Sequence, residues 1–155
     1  MRIKLIAAGT RLPQWINAGY DEFAKRLSRD IELELVEIPI SRSTASNAVT
    51  ERAREARLMS QAIPKGAYLV ALEVRGQALT SEGLADFLSK RARDGRDVCF
   101  LIGGPEGIAP AISQSAHFQL SLSALTLPHA MARVVLAEAL YRANSLLSGH
   151  PYHRA

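Results

Sequence analysis

Two stretches of this chain carry residue types that could do chemistry. The first is Ile102-Gly103-Gly104-Pro105-Glu106-Gly107, and the second is Leu122-Ser123-Ala124-Leu125-Thr126-Leu127-Pro128-His129. Each follows a short apolar run that reads as a buried strand. In open α/β sheets, ligands bind beyond the carboxyl ends of strands. Glycines let a backbone approach a ligand closely. The glycine stretch has neither the spacing of a dinucleotide fingerprint nor the Gly-Lys-Ser/Thr of a phosphate-binding loop. The second stretch mixes apolar and hydroxyl side chains, which suits a flat, partly polar ligand better than a phosphate.

Other reactive side chains support fewer chemistries. The histidines are His117, His129, His150 and His153. His150 and His153 have no further ligand cluster beside them, so no metal site is expected. Ser123 sits in a loop but lacks the flanking glycines of a strained nucleophile turn, which argues against a hydrolase. Cys99 falls inside a strand run and reads as a small buried hydrophobe. Glu138 and Arg142 stand four apart in the order that favours a helical ion pair. Arg142 therefore has a surface-pair reading beside a functional one as a phosphate or base contact.

The elements that must position these residues follow from periodicity. Ile3 to Ala8 is a first strand ending at Gly9. Pro13 to Leu27 carries apolar residues at helical spacing, with Pro13 near the first turn. Ile31-Glu32-Leu33-Glu34-Leu35 alternates, which predicts a half-buried strand at or near a sheet edge. Pro39 to Asn47 is a polar, serine-rich loop with Arg42, read first as a mobile surface loop and alternatively as a substrate-facing loop that orders on binding RNA. Asn47 or Thr50 caps a helix that runs to Ile63 and stops at Pro64. Its arginines Arg52, Arg54 and Arg57 alternate with Glu51 and Glu55, a largely solvated face. Tyr68 to Leu72 is a central parallel strand, and Glu73-Val74-Arg75-Gly76 leaves it. Thr80 or Ser81 caps a helix to about Arg93. Val98 to Ile102 is the next buried strand. Ile108 to Ser115 is a short helix or turn, and Phe118 to Leu122 is the last strand. An apolar helix then runs from about Ala130 to Leu147. The alternation gives one α/β domain, a parallel-rich sheet with helices on both faces. The last helix is apolar nearly all round, which predicts burial on more than one side. A second subunit is the expected cover, in a two-fold homodimer with Met131 and Leu140 at the interface.

Composition bounds the rest. With 155 residues the chain can build one good core, and 48% of them are hydrophobic. No run of apolar residues is long enough to span a membrane. The N-terminal apolar segment is short and interrupted by Arg11, Pro13 and Trp15, so it reads as a strand rather than a leader. With a single cysteine, Cys99, no internal disulfide forms, and a cytoplasmic compartment is expected. The net charge of +4, with arginine far outnumbering lysine, is compatible with a nucleic-acid partner.

Three motifs together carry a resemblance: Gly103-Gly104-Pro105-Glu106-Gly107, Leu122 through His129, and Pro151-Tyr152-His153-Arg154. Gly9-Thr10 and Pro13-Gln14-Trp15 fit it as well. The chain resembles, over its whole length, the ribosomal RNA large subunit methyltransferase H family. These are knotted (SPOUT-class) enzymes that N3-methylate a pseudouridine in 23S ribosomal RNA. The resemblance implies a single domain over residues 1–155, a C-terminal trefoil knot and a homodimer. It implies S-adenosyl-L-methionine held bent by Leu72, Gly103, Gly104, Leu122, Ser123, Ala124, Leu125, Thr126 and Leu127. It implies action on the assembled ribosome, with ribosomal RNA as partner and no membrane or metal. The candidates for catalysis and RNA contact are His129, Arg142, Tyr152, His153 and Arg154. The tail and Arg142 would grip RNA from the subunit opposite the cofactor. His129, neutral at pH 7, is the better proton acceptor. The rival readings are a related knotted enzyme acting on transfer RNA or ribose hydroxyls, a non-catalytic ribosome-binding protein, and a plain nucleotide-binding module.

Overall fold

Five strands form one sheet, and each strand's position explains its apolar pattern. They are β1 (Arg2–Ala8), β2 (Glu32–Ile38), β3 (Tyr68–Ala78), β4 (Val98–Ile102) and β5 (Phe118–Ser121). The order across the sheet is β2-β1-β4-β3-β5, and every pairing is parallel. The continuous apolar run Val98–Ile102 is the middle strand, buried at every residue. The alternating run is β2, at one edge, where its charged residues reach solvent. The computed structural model describes residues 1–27, 29–40 and 48–153. Most of the serine-rich loop, including Arg42 and the proposed cap Asn47, lies outside the described residues, as does Arg154.

The helices are α1 (Gln14–Ala24), α2 (Ala48–Ala62), α3 (Ser81–Arg93), α4 (Pro110–Ser115) and α5 (His129–Ser148), followed by a 3-10 turn (Pro151–His153). They cover both faces of the sheet. Tyr20 of α1, Leu84 and Leu88 of α3 and Leu136 and Leu140 of α5 pack with Leu5, Val70 and Phe100 on one face. Met59 of α2 and Ile112 of α4 pack with Ile6, Leu69, Cys99 and Leu101 on the other. Cys99 is completely buried, and burial pushes its thiol up to about 12, so it serves as a packing residue. Gly19 lets α1 approach α5 closely, for a Cβ there would already touch Val134 at 3.4 Å. Among the described residues, no helix is long and apolar enough to cross a membrane.

Local signals set most boundaries. The Thr80 hydroxyl accepts a hydrogen bond from the Gly83 amide at 2.9 Å and starts α3. Gly149, in the left-handed conformation at φ 73°, ends α5. Three expectations are corrected. Thr50 lies inside α2 rather than capping it, and α2 ends at Ala62. Strand β3 does not stop at Leu72 but continues to Ala78. Its ladder with β5 pairs both Leu72 and Gln77 with Leu120, so residues 73–76 are an excursion from the strand. Leu140 is not an interface residue. It is fully buried on the α5 stripe that also carries Leu136, Ala137 and Ala143, facing the sheet. Met131, Val134, Val135 and Ala139 are only half-buried. Val134 faces Gly19 of α1 and Ala139 packs against the core, which leaves Met131 and Val135 on the outer flank of α5.

Candidate ligand pocket

The carboxyl ends of β3, β4 and β5 open into one cavity of about 540 Å³. Its floor is Leu72 of β3, Ile102 at the end of β4 and Leu120 near the end of β5. Gly103, Gly104, Pro105 and Gly107 form one wall, and Leu122, Ser123, Leu125, Thr126 and Leu127 form the other. Pro128, His129 and Ala132 close it with the start of α5. All the proposed cofactor residues except Ala124 line this cavity. Ala124 is exposed on the outside of its loop. The volume falls in the range of sites for small organic ligands, roughly 300–1,000 Å³.

Each wall is shaped by its own chain. The glycine wall is a tight turn in which the Gly107 amide donates to the Gly104 carbonyl at 2.9 Å. A Cβ on Gly103 would come within 2.5 Å of the Ile108 nitrogen, so only glycine allows the turn to fold back on β4. Arg52 of α2 reaches Glu106 at the turn's tip, at 2.9 Å. In the second wall the Ser121 hydroxyl donates to the Ser123 carbonyl at 3.0 Å. The Leu125 amide in turn donates to the Ser123 hydroxyl at 2.9 Å. The hydroxyls thus hold the loop in shape, and Leu125 projects into solvent at 75% exposure.

Charge in the cavity is sparse and placed. Among the described residues no lysine or arginine lines it. Among the same residues the one lining carboxylate is Glu73, whose Oε1 accepts the Ser113 hydroxyl at 2.7 Å. Ser113, buried on α4, also accepts from the Gln119 side chain of β5 at 3.2 Å. At the opposite wall, the first turn of α5 has no side-chain cap, so its amides carry the partial positive end of a long helix. His129 is held below the ordinary histidine range by burial and then by the nearby Arg133 guanidinium. It is therefore a neutral imidazole at pH 7.

Arg133 is the residue that most firmly anchors this end of the molecule. It is 1% exposed. Its guanidinium pairs with Glu37 of β2 at 2.6 Å and donates to the carbonyls of Ala8 at 3.3 Å and Gly9 at 2.7 Å. One α5 side chain thereby ties together the carboxyl ends of β1 and β2. Nothing in the apolar pattern of α5 singles it out. The available signal is positional: it lies on the stripe of Ala132, Leu136, Ala137 and Leu140, where a charge demands a partner.

The other candidates lie elsewhere. Arg142 is thirteen residues along α5 from His129, about 20 Å at 1.5 Å per residue. Its Nε and Nη2 donate to Glu138 Oε1 at 2.9 and 2.6 Å. The Tyr152 hydroxyl donates to the same oxygen at 3.1 Å, and the Arg142 guanidinium lies over the Tyr152 ring at 5.0 Å. Tyr141 packs against Tyr152 with centroids 4.5 Å apart. His153 ends the 3-10 turn, and its side chain, like all of Arg154, is outside what the structure describes. Glu73 and Val74 are pocket residues that sequence reasoning missed, as it missed Arg133, which anchors the start of α5 beside the pocket.

Comparison with known proteins agrees with this layout. A methylase family protein of Haemophilus influenzae Rd KW20, described as probable, superposes with a TM-score of 0.57 at 15% identity, over 99% of this chain and 70% of its own. A probable rRNA-methyltransferase from Porphyromonas gingivalis gives a TM-score of 0.55 at 17% identity, over 94% and 69%. TrmJ from Z. mobilis ZM4 gives 0.51 at 16% identity, over 92% and 69%. At such identities these likenesses speak to the fold. A family model described as "Predicted SPOUT methyltransferase" matches residues 1–153, and the chain belongs to the SPOUT methyltransferase family.

Proposed function

We propose that the protein transfers a methyl group from S-adenosyl-L-methionine to N3 of a pseudouridine in 23S ribosomal RNA, on the assembled ribosome. The observation that carries the cofactor is the pocket's lining. Two backbone-rich loops and aliphatic side chains suit the edges and faces of an adenine, and the lack of lysine and arginine among the described lining residues disfavours a phosphate ligand. The sulfonium group supplies an electrophilic methyl when bound. Leu72, Gly103, Gly104 and the Leu122–Leu127 loop would hold it, in the bent form expected of a knotted domain.

The chain's remaining task is the nucleotide. N3 of the imide must lose its proton to become a nucleophile. Neutral His129, beside the pocket, fits the role of acceptor. Holding nitrogen and methyl in line would supply much of the rate. Arg142 is too far from His129 along α5 to act in the same subunit, and Tyr152 lies beside Arg142. A two-fold homodimer with antiparallel α5 helices would bring the far end of one to the pocket end of the other. In that arrangement Arg142, Tyr152, His153 and Arg154 of one subunit grip RNA over the partner's cofactor. Met131, half-buried near the pocket end, fits that interface.

Three experiments test the reading. Calorimetry with S-adenosyl-L-methionine should show binding; none would sink the enzyme reading in favour of a ribosome-binding protein. Methylation should occur on whole ribosomes and not on transfer RNA or free ribosomal RNA. Mass mapping of ribosomal RNA from cells lacking the protein should show one methyl lost from a pseudouridine.

A further inference from the structure

Glu73 sits where the fold makes a special provision for it. The excursion of residues 73–76 occurs at the carboxyl end of β3, between two pairings to the same residue of β5. Gly76 permits it, because a Cβ there would fall 2.7 Å from the Gln119 carbonyl. The excursion puts Glu73 on the cavity wall, the one carboxylate among its described lining residues. A relay from Gln119 through buried Ser113 fixes one carboxylate oxygen. Among the described residues the other oxygen, Oε2, has no partner. A carboxylate so held, in a cavity whose other described lining residues are apolar side chains, glycines, two hydroxyls and the His129 imidazole, acts on a bound ligand with less screening than in bulk water.

We infer that Glu73 makes the pocket select for cofactor charge, favouring the methyl-bearing sulfonium over its demethylated product. The inference rests on the methyltransferase reading above. Transfer of the methyl breaks the carbon–sulfur bond and leaves the bonding pair on sulfur. The positively charged sulfonium becomes a neutral thioether, while the amino acid's ammonium and carboxylate are unchanged. Coulomb attraction to Glu73 is thus present before transfer and absent afterwards. The same carboxylate that helps load the substrate releases its hold on the product. Recognition of the adenosine is common to both compounds and gives no such preference.

The test is calorimetric titration of the full-length protein with three compounds. They are S-adenosylmethionine, S-adenosylhomocysteine, and sinefungin, which replaces the sulfonium by a carbon bearing an ammonium. Glu73→Gln keeps the shape and removes the charge. It should weaken S-adenosylmethionine and sinefungin about tenfold and S-adenosylhomocysteine by less than about twofold. Ser113→Ala leaves the carboxylate but removes its donor, and should shift the same ratio in the same direction by less; it keeps the test open if Glu73→Gln does not fold. Equal weakening of all three compounds, as expected if Glu73 held the common ammonium, overturns the inference, and so does no change. Wild-type protein that binds none of the three overturns the methyltransferase reading and this inference with it. Wild-type binding with an unchanged ratio in the variants overturns the inference alone.

Discussion

The two ends of α5 carry charge in opposite ways. At its first turns, Arg133 is buried and its ion pair and carbonyl contacts reach across to two strands. Beside it, His129 is kept neutral by burial and by that same guanidinium. At the far end, Arg142, Glu138 and Tyr152 form a local network spanning one turn of helix and the following 3-10 turn, with about a quarter of the Arg142 and Glu138 side chains exposed. Arg142 is raised, first by its hydrogen bond to Glu138, and stays a cation. The first arrangement holds secondary elements together, whereas the second holds a charged surface in shape. A buried pair is costly to break because one partner is left unsolvated, whereas an exposed pair contributes little.

That contrast can be broken at several points. Leu140→Asp places a carboxylate in the core under the middle of α5 and should cost several kcal/mol, leaving no folded protein by circular dichroism. Glu37→Ala strands the buried Arg133 and should cost about 3 kcal/mol in urea unfolding. His129→Ala should bind S-adenosyl-L-methionine normally but turn over at least about 10²-fold more slowly; near-normal turnover would show that His129 is not the base. Because its protonation is disfavoured in the folded state, the acid limb of the rate should lie below pH 6.5. Folding stability should likewise fall as pH drops below that value, since the unfolded chain takes up the proton more readily. Met131→Asp, on the half-buried outer flank, should leave the fold intact but dissociate the proposed dimer and lower activity on the order of tenfold; a fully active monomer by light scattering would refute a shared site. Glu138→Gln should cost only about 0.3–0.5 kcal/mol while freeing Arg142, and its effect should appear as altered salt dependence of ribosome binding.

Much of this layout is readable from residue order. Period-two alternation placed β2 at an edge, the Gly103–Gly107 turn marked a pocket wall, and Thr80 and Gly149 marked helix ends. Two features escaped. The excursion at residues 73–76 follows an apolar run with Glu73 and Arg75, which reads as chain leaving the sheet; only the second pairing to Leu120 reveals a return. Arg133 escaped because its partners lie on β1 and β2, far away in sequence, and local periodicity is blind to them. The misassignment of Leu140 has the same origin. A helix apolar all round does not declare which stripe faces its own sheet, and here three neighbours share that helix, with α1 on one side, α3 on the other and the sheet beneath.

Arg133 also bears on how the molecule opens. An edge strand such as β2 is ordinarily free to fray on its own, since only one neighbour holds it. Here the side chain that grips β2 through Glu37 comes from the last helix of the fold. Detaching the edge therefore exposes a buried cation under α5, and lifting α5 strips Glu37 and the Ala8 and Gly9 carbonyls of their partner. Amide protons in β2 and in the first half of α5 should thus exchange with solvent in a single kinetic class, although nearly a hundred residues separate them.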